Sequence, residues 1–152
     1  MVLLVQPCQA VAVGSCIQMA PTVVSLSGRV YVKSKYGPPG FGETPDRDSR
    51  IVGTILRLSH AIHVCADSNS SRKPGLEPVH EVELNFNQYK PLASMRRGRI
   101  VVTGWLSEGL SATDSRRIRL LVATVRAPDD LGHYVLIYRD STVDTDHDRK
   151  VK

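Results

Sequence analysis

The sequence predicts a mainly all-β domain: a small barrel of five to six strands, with one short helix between the third and fourth. Three observations carry this. Apolar and polar residues alternate with a period of two over several separate runs. One stretch, Tyr89 to Arg97, breaks that period with helical spacing. No repeat and no second composition regime divides the 152 residues, a length that suits one domain with a sizeable core.

The elements follow in order. Val24, Leu26, Gly28, Val30 and Val32 alternate with Val23, Ser25, Ser27, Arg29 and Tyr31, a half-buried first strand. A Pro- and Gly-rich loop follows, Tyr36 to Glu43, and then an acidic, turn-rich piece to Arg50. The second strand runs from Ile51 through Leu56 and Leu58 to Val64, with a bend or bulge at Ser59 to Ala61. Ala66 to Pro78 is a loop by composition, with a mobile core at Ser68-Asn69-Ser70-Ser71. His80, Val82, Leu84 and Phe86 share one face of a third strand. Tyr89, Leu92 and Met95 stand at helical spacing, with Gly98 as a stop. Ile100, Val102, Gly104 and Leu106 mark the fourth strand; Ile118, Leu120 and Val122 mark the fifth. His133 to Arg139 reads as a sixth, at an edge. The domain limits are then residues 1–15 as a leader or N-terminal arm, 16–139 as the barrel, and Asp140 to Lys152 as a charged, disordered tail. Five strands with a helix between the third and fourth is the order of an OB-fold, in which the helix plugs one end of the barrel.

Composition narrows the class. Hydrophobic residues make up 41% and charged residues 23%, an ordinary globular balance. The net charge of +5 permits an anionic partner without demanding one. The first thirteen residues, MVLLVQPCQAVAV, are uncharged and too short for a membrane span. They end in Ala10-Val11-Ala12, the small-x-small pattern of a secretory cleavage site. Cys8 lies in that stretch, which leaves Cys16 and Cys65. In an oxidising compartment they form a disulfide; in the cytosol they are two buried thiols.

The loop YGPPGFGE raises the sharpest functional question. Pro38 and Pro39 hold the chain extended, while Gly37, Gly40 and Gly42 allow positive φ and close backbone approach. Either Tyr36 and Phe41 stack on a sugar, a base or an apolar patch of a partner, or they fold back and cap the barrel end. Glu43, Asp46 and Asp48 read as solvated turn formers rather than Ca²⁺ ligands, since no EF-hand loop is present. His60, His63 and Cys65 suggest a metal by composition. On a strand, His60 and His63 point to opposite faces, and two ligands do not make a structural zinc site. No metal or other cofactor is expected.

Late basic residues, Lys90, Arg96, Arg97, Arg99, Arg116, Arg117, Arg119 and Arg126, together with Trp105, could line an OB-type nucleic-acid groove. Aromatic residues are only 5% of the chain, thin for a stacking platform, so nucleic acid is the less favoured partner. There is no Gly-x-Ser-x-Gly elbow, no Walker loop and no acid–base spacing, so no catalytic residue is expected.

Cys16, the Val23–Val30 strand, the Tyr36–Glu43 loop, Leu56-Arg57-Leu58 with Ile62 and Val64, and Gly98–Leu106 form an ordered series. It resembles a family of small exported bacterial domains of unknown function, with a GPP-aromatic-x-E loop between their first two strands. The resemblance covers Cys16 to Val125. It implies a periplasmic or secreted β-barrel, with a cysteine near the mature N-terminus tied to the second strand, and no established activity. Two departures stand out: no histidine occurs in the turn Ala112 to Arg117, and Cys65 lies about two residues late. The function expected is that of a binding module for an envelope protein, peptide or glycan, sited at Tyr36–Glu43 with Trp105, Arg117 and Arg119.

Overall fold

A computed structural model describes residues 16–65, 78–96, 98–109 and 118–142. Residues 1–15, 66–77, Arg97, residues 110–117 with Arg116 and Arg117, and residues 143–152 lie outside the described residues. Six strands and one helical turn succeed one another: β1 (Val23–Tyr36), β2 (Arg50–Ile62), β3 (Val79–Asn85), α1 (Leu92–Met95), β4 (Arg99–Glu108), β5 (Ile118–Pro128) and β6 (Tyr134–Arg139).

Five of the strands close on themselves. The antiparallel pairs β1–β2, β1–β4, β2–β3 and β4–β5 are joined by a parallel β3–β5 pair, giving the expected OB-like barrel. The alternation dictates what lies inside. Val24, Leu26, Leu56, Val82, Leu84, Ile100, Val102, Leu106, Leu120 and Val122 form the core, and Met95 of α1 joins it with no exposed surface. The helix therefore plugs the barrel, as the single short turn that the spacing predicts.

Closure needs sharply bent strands. At two positions neighbouring backbone comes so close that only glycine fits: a Cβ on Gly28 would stand 2.1 Å from the Arg57 carbonyl oxygen, and one on Gly104 2.0 Å from that of Leu121. Beside Gly104 the register slips. Thr103 faces Thr124 but Gly104 faces Val122, so Ala123 is an extra residue on β5. The expected irregularity of β2 is present between Arg57 and Ile62.

β5 is shared. Its first half pairs with β3 and its second half with β6. The end of β6 locks onto the segment after β3. Tyr138 meets Phe86 and Tyr89 edge to face, with ring centroids 5.1 and 5.6 Å apart. Asp140 has no exposed surface; it accepts from Asn87 Nδ2 at 2.7 Å and from the Thr142 amide and hydroxyl at 2.9 and 2.7 Å. This corrects the expected boundary. Asp140 belongs to the packed domain, because its carboxylate is buried against donors from Asn87 and Thr142.

Cys16 and Cys65 form a disulfide, with Cα atoms 4.9 Å apart. Beside it Ile17 bridges Val64, fastening the segment before β1 to the end of β2.

Candidate functional site

The site is built on the hairpin between β1 and β2. The strands stay paired out to Tyr36 and Arg50, and the intervening residues then fold on themselves. The Gly37 amide donates to the Ser49 carbonyl at 2.8 Å, and both the amide and hydroxyl of Ser49 donate to the Pro38 carbonyl at 3.0 Å. Pro38 and Pro39 lie in a turn, so they do not hold the chain extended as expected.

Asp48 closes the loop. Its Oδ1 accepts from the Gly40 amide at 2.7 Å and the Thr44 hydroxyl at 3.1 Å. Its Oδ2 accepts from the amides of Gly42 at 2.7 Å and Thr44 at 3.3 Å. The expectation of a solvated turn former is therefore corrected for Asp48. Partial burial alone would raise its pKa, but the donors from Gly42, Gly40 and Thr44 outweigh that and hold the carboxyl below its ordinary value. With both oxygens engaged, Asp48 has little left to offer a cation. Among the described residues no group of three or more His, Cys, Asp or Glu side chains is placed to hold a metal ion.

The two rings take different places, and neither enters the core. Tyr36 is half-buried. The Arg50 guanidinium lies 3.9 Å from its ring centroid, and Arg50 Nη2 donates to the phenol oxygen at 2.9 Å. Phe41 is 51% exposed and has φ 52°, a left-handed conformation that a phenylalanine rarely takes. Gly42 follows at φ 108°, where a side chain would be strained. Glu43 is exposed beside them, and its amide donates to the Gly40 carbonyl at 3.1 Å.

The remaining candidates sit elsewhere. Trp105 is half-buried on the outer face of β4, opposite Val23 and Leu121, at the far end of β1 from the loop. Arg119 lies on β5 opposite Glu83 of β3 and Ser107 of β4, a diagonal neighbour of Trp105. Arg117 lies outside the described residues. The structure thus gathers Tyr36 to Glu43 into one unit and adds Asp48, Ser49 and Arg50, which the sequence reading did not single out as site residues. One signal could have found Asp48: short acidic side chains accept from nearby loop amides, and the glycines here offer several. Comparison with models of known protein families, with curated proteins and with solved structures gave no match.

Proposed function

We propose that this chain is an exported, non-enzymatic binding module, periplasmic or secreted, which engages an envelope protein, peptide or glycan through the Tyr36–Glu43 loop. Neutralising a partner protein is one form that activity takes. The observation that carries this reading is Phe41, an apolar ring held out in water on a left-handed residue. Such a conformation costs roughly 1–2 kcal/mol and is a feature of binding loops more than of structural ones. The loop beneath is fixed by Asp48, so little ordering remains to oppose binding. The disulfide supports the oxidising compartment. Among the described residues no helix is long and apolar enough to cross a membrane.

Phe41→Gly tests the site. It removes the ring and relaxes the backbone, so Tm is expected to hold or rise by the equivalent of about 1 kcal/mol. A photo-crosslinker at Glu43 is expected to capture an envelope component in the native sequence and to lose it in the variant. A fall in Tm, or unchanged capture, overturns the reading of the loop. Non-reducing mass spectrometry of each cell fraction checks export. A full-length cytosolic species with free thiols would overturn that part.

A further inference from the structure

The outer face of β1, β4, β5 and β6 carries arginines and hydroxyls, with Val101 and the exposed Leu136 among them. The register places Arg29 directly opposite Arg57 on one side and Arg99 on the other. The outer members of this row stand on the order of 10 Å apart, two strand spacings. One row further along, Ser27 faces Val101 and Val101 faces Arg126. In the next, Ser25, Thr103, Thr124 and Arg139 lie in line. All five arginines are exposed. Arg57 has Glu81 at 3.1 Å, at the margin of the face. Among the described residues no carboxylate lies within ion-pair distance of Arg29, Arg99, Arg126 or Arg139. Asp129, in the turn after β5, is occupied by the amides of Leu131 and His133 and by the His133 ring.

Like charges placed directly opposite across paired strands oppose folding. A run of three such positions with one acid at its end is therefore an arrangement that fold stability disfavours. We propose that this face binds an anionic polysaccharide, which deepens the reading of the chain as an envelope-side module and rests on it for the class of ligand. Guanidinium forks grip carboxylate and sulfate groups in pairs. The hydroxyls of Ser25, Ser27, Thr103 and Thr124 lie between them. Thr103 and Thr124 hydrogen-bond each other and Ser27 meets the Ser59 hydroxyl at 3.5 Å, and each oxygen keeps a lone pair that can accept from a sugar hydroxyl. A single-stranded nucleic acid would need rings between the cations. Here Trp105 lies at one end of the face, Tyr134 is tied by its hydroxyl to the Arg99 carbonyl at 3.0 Å, and Tyr31, half-buried two residues along β1 from Arg29, already has the Arg57 guanidinium 5.2 Å from its ring centroid.

The test titrates the full chain with heparin, polygalacturonate, neutral dextran and an oligo-dT, at low and at physiological salt. Binding to one or both acidic glycans is expected, weakening with salt, with none to dextran. Arg29→Ser with Arg99→Ser is expected to weaken it at least tenfold and to flatten its salt dependence, while Tm holds or rises. Phe41→Gly is expected to leave glycan binding intact, so failure of the loop reading shows separately. Absence of glycan binding, binding unchanged by the double variant, or tighter binding of oligo-dT overturns the proposal. Binding seen only after removal of residues 143–152 also overturns it, since the chain's own Asp144, Asp146 and Asp148 would then be the occupant.

Discussion

Replacing Asp48 by asparagine keeps the side chain's size and turns one of its two acceptor atoms into a donor. That donor then faces backbone amides, so the loop is expected to open while the barrel stays folded. Hydrogen exchange checks it: Gly40, Gly42 and Thr44 amides should exchange far faster, and core strand amides should not. The same residue predicts acid behaviour. Hydrogen bonds from the Thr142 hydroxyl and amide, and then from Asn87, hold Asp140 low against its burial, and Asp48 is held low as well. A carboxyl lowered from 3.8 stabilises the fold above that value, and its contribution is lost as pH falls through the folded pKa. Stability is therefore expected to be full near neutrality and to decline in acid below pH 3.8, less steeply in Asp48→Asn. Burial, and then the charge of Asp140, push the Tyr138 phenol up, so a further loss is expected at strongly alkaline pH. At this scale the sequence was only half legible. The loop's composition marked its place and its two rings, and left both outcomes open, rings exposed or rings capping the barrel. It did not show which carboxylate would close it, because that depends on where a turn brings the glycine amides.

Single strands show why alternation reads well in some places and fails in others. β1 alternates cleanly from Val23 to Arg29, and its inward residues Val24, Leu26 and Gly28 were legible there, while beyond Val30 burial no longer alternates. β5 loses phase at Ala123, where the bulge inserts one residue, and its buried set shifts from Leu120 and Val122 to Val125 and Ala127. A fixed period of two therefore ends the strand at Val122, six residues before its actual end. The bulge lies beside Gly104, whose missing side chain lets β4 approach Leu121. Gly104→Ala is expected to cost about 1–3 kcal/mol, since backbone rather than a flexible side chain must yield. Urea unfolding with an unchanged m-value would register this as lost stability; a variant as stable as the native protein would show that the bulge can relax.

The whole molecule depends on contacts distant in sequence. The β3–β5 pair closes the barrel, and the disulfide joins residues 49 apart. Cys16→Ser with Cys65→Ser is expected to cost roughly 4 kcal/mol by the loop-closure relation, read from chemical denaturation, without changing the protection of the Gly40 and Gly42 amides. Strand order, helix position and the cysteine pair were legible because each leaves a local mark. The arginine face was not, since its members are scattered from Arg29 to Arg139 and meet only through strand register.

One property of the Tyr36–Arg50 loop reaches beyond this chain. The hydrogen bonds described for it begin and end within its own span, and it joins the barrel through a single antiparallel pair. It is thus a cassette in the evolutionary sense. The strands around it are free to diverge, provided two neighbours arrive in the same register. Conversely, the segment should carry its shape into another protein's hairpin, taking the exposed phenylalanine with it.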